Sequence, residues 1–114
     1  MMVDIVEIGR NEENKELQFS ILDLDTGNDM GFLFTVGNHI AYEVWPEYRG
    51  NNVATTALRA VTTKIDRPVL EIKFDNVASK RVALKAGYSL TGIEDGFEMY
   101  EYSGIGEKNP QTRK

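Results

Sequence analysis

The residues that could do chemistry begin with a polar turn between an apolar segment and an amphipathic one. From position 44 to 55 the chain reads Val-Trp-Pro-Glu-Tyr-Arg-Gly-Asn-Asn-Val-Ala-Thr. We expect a strand to stop before Pro46 and a helix to begin after the turn. Such a turn directs several backbone N–H groups outward, and the helix N-terminus adds the positive end of its dipole. The pattern predicts an anion site, and phosphate is the anion that fits it best.

A second set of polar residues follows Pro68. Glu71 lies between Leu70 and Ile72 and is the first candidate for a general base, with Glu43 on the preceding segment as the second. Asn76 and Ser79 are three residues apart, so they share one face of a helix. Each has a plainer explanation, because strand carboxylates often lie on a solvated face and Asn is a common helix N-cap. The residues alone leave both alternatives open.

Composition excludes several classes of function. The chain has 114 residues, no cysteine, one histidine and a formal net charge of −5. Thiolate catalysis and disulfides are excluded, we expect no metal site around the lone His39, and an acidic chain argues against nucleic-acid binding. The N-terminus resembles no signal peptide, and no segment approaches the length of a membrane span. We therefore expect a cytoplasmic protein with no membrane partner.

The hydrophobic pattern predicts one mixed domain over residues 1–103 and a loose polar tail over 104–114. Apolar residues alternate in the first part of the chain, then change to helical spacing from Val53 to Ile65, with Pro68 ending that helix. A short strand, a second helix ending near Gly87 and a final hairpin follow. This order predicts an α/β (α+β) fold with a mostly antiparallel sheet of six to seven strands and two main helices.

Two motifs in this order resemble the GNAT superfamily of acyl-CoA-dependent N-acyltransferases. The segment 48–54, Tyr-Arg-Gly-Asn-Asn-Val-Ala, is similar to the pyrophosphate loop Q/R-x-x-G-x-G/A of that family. The segment 70–88 resembles the strand and helix that end in K-x-G-F/Y, and its Asn-x-x-Ser start is typical of the branch that acetylates ribosomal-protein N-termini. The chain departs from the family at Asn52, where glycine is usual, and at the short connection 9–14, where the family has two helices.

The resemblance implies acetyl-CoA as cofactor and direct transfer of its acetyl group to a primary amine, which is a protein N-terminus, a lysine or a small molecule. Glu71 or Glu43 would be the base, and Ser79 would hydrogen-bond the sulfur, because Ala83 stands where many members have a tyrosine. The main-chain groups of Val44 and Trp45 would hold the pantetheine, with the Val44 N–H as oxyanion donor. The residues that would bind the cofactor are Val44, Trp45, Arg49, Gly50, Asn51, Asn52, Val53, Ala54, Thr55, Asn76, Ser79, Lys80 and Lys85.

Two further expectations follow from the departures. Without the two helices that form one wall of the family's acceptor site, the chain could instead be a catalytically weak acyl-CoA-binding or interaction module. The same short connection is expected to leave apolar surface uncovered, so a partner chain, such as a second copy in a homodimer, would close the acceptor side.

Overall fold

The computed structural model describes residues 1–104, and the expected tail beyond Gly104 lies outside the described residues. Within this range the expected mixed architecture is confirmed, with a seven-stranded, mostly antiparallel sheet and two α-helices. The elements are β1 (Val3–Asn11), β2 (Glu16–Asp23), β3 (Asp29–Val36), β4 (His39–Val44), a 3₁₀ turn (Pro46–Tyr48), α1 (Val53–Thr62), β5 (Val69–Lys73), α2 (Val77–Lys85), β6 (Tyr88–Glu94) and β7 (Phe97–Tyr102).

The sheet has the strand order β1-β2-β3-β4-β5-β7-β6, and only β4 and β5 are parallel neighbours. These two strands pair at His39 with Val69 and at Ile40 with Leu70, and beyond these positions they no longer pair. The remainder of β4 therefore has no strand on its β5 side. The sheet opens into a V between β4 and β5, with its apex at Ile40 and Leu70.

Both helices cover one face of the sheet. The apolar stripe of α1, which includes Val53, Leu58 and Val61, is buried in the same cluster as inward-facing residues of all seven strands and as Ala83 of α2. This is the stripe expected from the helical spacing of the sequence. We call the opposite side the open face, and it carries His39, Glu43, Phe32, Phe34, Trp45 and Glu71. Neither helix of residues 1–104 is long and apolar enough to cross a membrane.

Helix α1 ends at Thr62, earlier than the expected stop near Pro68. The Thr62 hydroxyl donates to the Leu58 carbonyl, the Thr63 hydroxyl donates to the Ala60 carbonyl, and Lys64 N–H bonds Val61 in a tighter turn. Hydroxyl groups that bond nearby carbonyls compete with the helical pattern. Ile65 still packs against the core from the following loop. The helical spacing of apolar residues therefore extends beyond the end of the helix.

We expect stability to fall as the pH rises from about 10 to about 12. Tyr88 is 1% exposed and shares a hydrogen bond of 2.6 Å with the Thr62 hydroxyl. Burial is the main cause that raises the pKa of Tyr88 from 10.0 to about 12. The unfolded chain therefore loses this proton before the folded one, so the stabilisation is complete below pH 10 and is lost towards pH 12. Denaturant unfolding between pH 8 and about 12 measures how the free energy of unfolding changes with pH. The decrease towards high pH should be smaller in Tyr88→Phe.

Candidate functional site

A cavity of about 560 Å³ lies on the helix-covered face, where the sheet opens. Its walls are the end of β4, the turn that leads into α1, the first turn of α1 and one side of α2. The size is ordinary for a small-molecule site. Both sequence motifs contribute to this one cavity. The lining residues include Tyr42, Glu43, Val44, Arg49, Gly50, Asn52, Val53, Ala54, Thr55, Asn76, Ser79, Arg81 and Lys85.

The N-terminus of α1 opens into this cavity without a side-chain cap. Asn52 is the N-cap residue, and its side chain makes no capping hydrogen bond. It adopts the left-handed conformation at φ 61°, next to Gly50 at φ 86°, so asparagine maintains the turn in place of the usual glycine. The first N–H groups of a helix have no partner within the helix. The N–H groups of Val53, Ala54 and Thr55 therefore remain as donors at the cavity wall.

Cationic side chains from α2 lie on the same cavity. Arg81 and Lys85 are one helical turn apart and both line it. Lys80, which the resemblance pointed to, does not line it, because its ammonium group binds Glu98 of β7 at 3.1 Å. Arg81 was missed because the helix register, not the residue type, decides which cation faces the cavity.

Arg49 is held at the mouth of the cavity by strand β4. Its Nε donates to the Val44 carbonyl oxygen at 2.9 Å, and its guanidinium binds a Glu43 carboxylate oxygen at 2.6 Å. The side chain is nevertheless 57% exposed, so part of the guanidinium can still face an anion. Glu43 is less free, because this ion pair occupies one of its oxygens. This ion pair makes Glu43 a weaker candidate for the general base.

The main chain at the end of β4 offers fewer free groups than expected. Trp45 donates its N–H to Met30, and its carbonyl accepts from Tyr48. Trp45 also lies outside the cavity lining, so we do not retain it as a pantetheine contact. Main-chain hydrogen-bonding groups alternate in direction along a strand. The bond from Arg49 to the Val44 carbonyl shows that the main-chain N–H and C=O of Val44 point away from β3. Its N–H faces the gap between β4 and β5.

The start of α2 brings three polar side chains together. Asn76 caps the helix by accepting the Ser79 N–H on its Oδ1 at 3.1 Å. This leaves its amide NH₂ group for another partner, so capping and ligand binding use different atoms. The Tyr42 hydroxyl of β4 donates to the Ser79 Oγ at 3.4 Å. Burial is the main cause that raises the pKa of Tyr42. Tyr42 was not predicted as a site residue, because its only signal in the sequence is its place two residues before Val44.

Glu71 lies on the open face, next to the apex of the V. Its carboxylate Oε2 is 3.0 Å from Nδ1 of His39, and about half of each side chain is exposed. The sequence assigns no role to the lone His39. It is in fact the first residue of β4, and its register opposite Val69 places it beside Glu71. The second carboxylate oxygen of Glu71 has no hydrogen bond within the described residues.

The open face also carries a group of aromatic side chains near Glu43. Phe32 stacks on Phe34 with ring centroids 6.1 Å apart, and its centroid is 5.7 Å from that of Trp45. Phe32 pairs directly with Glu43 across β3 and β4. No helix of residues 1–104 covers this face, because β1 and β2 are joined by a short turn.

Comparison with known proteins decides the fold. No protein-family model and no curated protein sequence matches the chain. Among solved structures, the RimL ribosomal L7/L12 α-N-protein acetyltransferase in complex with coenzyme A matches with a TM-score of 0.68 at 20% identity, over 79% of this chain and 63% of that one. The GNAT domain of PAT from S. lividans matches with a TM-score of 0.70 at 17% identity, over 82% and 63%. The chain has the GNAT acetyltransferase fold.

A third match is a structure with acetyl-CoA bound. The microcin C7 self-immunity acetyltransferase MccE, in complex with acetyl-CoA and AMP, has a TM-score of 0.68 at 22% identity, over 80% of this chain and 62% of that one. This chain therefore spans a little over three-fifths of the length of these GNAT structures. At such identities the likeness establishes the fold expected from the two motifs, while the activity has to be argued from the residues of the site.

Proposed function

We propose that this protein is an acetyl-CoA-dependent N-acetyltransferase that transfers the acetyl group directly to a primary amine. The observation that carries the proposal is the cavity in which an uncapped helix N-terminus, the Val44 N–H and a cationic side of α2 meet. Such a cavity accepts a ligand that is anionic at one end and amide-like at the other. Coenzyme A has this chemistry, and RimL and MccE are GNAT structures with coenzyme A or acetyl-CoA bound.

The residues fit the parts of coenzyme A in order along the cavity. The N–H groups of Val53, Ala54 and Thr55 would hold the pyrophosphate, with Gly50, Asn51 and Asn52 shaping the turn. Arg81, Lys85 and Arg49 would balance phosphate charge. The Asn76 amide would bond the pantetheine arm, which would lie along the free edge of β4 in the way that an added strand lies along a sheet edge. When bound, the cofactor supplies an activated acetyl thioester.

The apex of the V separates two sets of reactive side chains. Glu71 lies on the open face, from which an amine can approach, whereas Ser79 lies on the helix-covered face. Glu71 would take the amine proton, because its Oε1 has no partner among residues 1–104 and His39 holds its Oε2. The Val44 N–H would stabilise the charge that develops on the acetyl carbonyl oxygen, and Ser79 would hydrogen-bond the sulfur. With no cysteine in the chain, no thioester forms on the protein.

The acceptor is an amine on a protein N-terminus, a lysine or a small molecule. RimL is named for acetylating a protein N-terminus, and another structure of this fold, a SpeG chimera, is a spermidine acetyltransferase. Carboxylates and aromatic rings on the open face would suit a cationic amine before it loses its proton. A second copy of the chain would cover this face in a homodimer, and the cytoplasm would provide acetyl-CoA. Both remain predictions.

The second candidate is a catalytically weak acyl-CoA-binding or interaction module. The exposure of Glu71, at 45% of its side chain, favours it, because a general base works best where water is excluded. This candidate keeps the same cavity and the same cofactor but predicts no release of free coenzyme A with any amine. Turnover, not binding, separates the two.

Thermal unfolding with coenzyme A tests the cofactor. A ligand at a hundredfold excess over its Kd stabilises a protein by about 2.7 kcal/mol, which should raise the Tm of a domain of this size by roughly 10 °C. Arg81→Glu and Lys85→Glu should each lower the affinity about tenfold. Lys64→Glu makes the same charge change at an exposed residue beyond the end of α1, away from the cavity, so its Tm shift should match that of the wild type. A wild-type Tm that coenzyme A leaves unchanged would refute both candidates.

A further inference from the structure

The contact between Tyr42 and Ser79 connects strand β4 to helix α2 across the cavity. Their hydroxyl oxygens are 3.4 Å apart, and the geometry makes Tyr42 the donor. The two residues are 37 positions apart in the chain. Both line the cavity. The contact therefore belongs to the site, although neither the loop motif nor the Asn-x-x-Ser motif includes Tyr42.

The direction of this hydrogen bond fixes what Ser79 can do. A serine hydroxyl has one proton to donate and two lone pairs that accept. Ser79 accepts from Tyr42 on its Oγ, while its backbone N–H is bonded to Asn76. The phenol occupies one lone pair of the Oγ, and the Ser79 hydroxyl donates to no acceptor within residues 1–104. Its proton is therefore available for a ligand in the cavity. Burial raises the pKa of Tyr42, so the phenol stays protonated and keeps donating at neutral pH.

The position of Tyr42 places this pair at the reactive end of the cavity. Tyr42 follows Ile40, the last residue of β4 that pairs with β5, by two positions. The gap between β4 and β5 therefore lies on the Val44 side of Tyr42 and ends at Ile40, where the two strands begin to pair. The phosphate-binding end lies on the other side of Val44, at the turn from residue 50 to 55. A linear ligand with its phosphates at that turn and its arm along β4 ends beside Tyr42 and Ser79.

We propose that Tyr42 is a positioning residue that orients the Ser79 hydroxyl as a hydrogen-bond donor to the cofactor sulfur, so that the departing thiolate is stabilised by this bond and not by a proton from Tyr42. The inference rests on the proposed function, since it assumes coenzyme A in the cavity. It assigns a role to a strand residue that neither motif contains.

The chemical step balances with this assignment. The amine nitrogen forms a bond to the acetyl carbon and gives its proton to Glu71, while the carbon–sulfur bond breaks and its electron pair stays on sulfur. The products are an amide, a protonated Glu71 and a thiolate, and solvent then exchanges the last proton. An alkyl thiol such as cysteine has a pKa of about 8.5. A phenol with a pKa above 10 is the weaker acid, so it holds its proton and serves through Ser79.

Titration of the thiol of bound coenzyme A tests this role without any acceptor amine. The ultraviolet absorbance of the thiolate is followed with pH, up to pH 10, in saturating protein and in free coenzyme A. We expect the bound thiol to ionise about one pKa unit lower than the free thiol, a tenfold change in its ionisation constant. Tyr42→Phe keeps the ring and removes the hydroxyl, so it should abolish most of this difference while changing the Kd of coenzyme A by less than about threefold.

Two further variants separate the role from a structural effect. Ser79→Ala should abolish the whole difference. Tyr102→Phe makes the same change as Tyr42→Phe on β7, outside the cavity, and should retain the full difference. Two results would overturn the role of Tyr42 and leave the proposed function intact. One is that the protein binds coenzyme A without lowering the pKa of its thiol, and the other is that Tyr42→Phe lowers this pKa as much as the wild type does. A protein that fails to bind coenzyme A would remove both.

Discussion

Replacing Glu71 with glutamine is expected to lower kcat by about 100- to 10,000-fold, the range that a general base contributes. Glutamine has almost the same shape and can still accept a hydrogen bond from Nδ1 of His39, which lies 3.0 Å from the carboxylate. It cannot accept the amine proton. The Kd of coenzyme A should stay unchanged, because Glu71 lies on the open face and does not line the cavity. Release of coenzyme A with a panel of amines measures kcat.

Two matched variants control this experiment. Glu43→Gln removes the other carboxylate near the gap, and we expect a smaller loss because Glu43 is already paired with Arg49 at 2.6 Å. Glu94→Gln makes the same change at the exposed end of β6 and should leave kcat unchanged. If Glu71→Gln turns over like the wild type while Glu43→Gln fails, the base is Glu43. If the wild type binds coenzyme A and releases none with any amine, the binding-module candidate replaces the enzyme.

Replacing Gly31 with alanine should destabilise the fold by about 1–3 kcal/mol and also abolish most coenzyme A binding. A Cβ at Gly31 would overlap the Glu43 carbonyl oxygen and lie 2.9 Å from the Val44 Cα. All of these atoms are backbone, so the strands β3 and β4 must separate to make room. The displaced segment is the one whose Val44 N–H faces the gap. Denaturant unfolding and calorimetric binding at a temperature where the variant is folded measure the two effects separately.

The control for this variant is Gly92→Ala on β6. Gly92 has a negative φ and nothing within 4 Å of an added Cβ, so its stability should stay within about 0.5 kcal/mol of the wild type. A folded Gly31→Ala that binds coenzyme A normally would show that the end of β4 does not hold the cofactor. The same variant with lost stability and lost affinity would connect the β3–β4 pairing to the site.

The local pattern of the sequence was enough for the order of the elements and for the position of the anion-binding turn. Proline and glycine positions, the period of the apolar residues and the two motifs act over short distances along the chain. The tolerance of asparagine for a left-handed conformation is also a local property, and Asn52 adopts this conformation at φ 61°. The end of α1 was predicted too far along, because side-chain hydroxyls at Thr62 and Thr63 stop the helix before the apolar stripe does.

Contacts between distant segments were decided only by the tertiary structure. Lys80 and Arg81 are adjacent in the chain. The rotation of α2 about its axis places Lys80 beside Glu98 of β7 and places Arg81 in the cavity wall. Which carboxylate is engaged likewise depends on the folded chain. The turn after β4 brings Arg49 back to Glu43, and the pairing of β4 with β5 places His39 beside Glu71.

The sequence by itself determined that this chain builds an anion-binding turn at the start of a helix, in a mixed sheet of the GNAT type. The tertiary structure alone decided which side chains share the cavity and which face of the sheet each one occupies. The physical reason is that turns and helix starts depend on neighbouring φ and ψ preferences. The meeting of Tyr42 with Ser79 depends instead on strand register and on how α2 packs against β5, which no local pattern encodes.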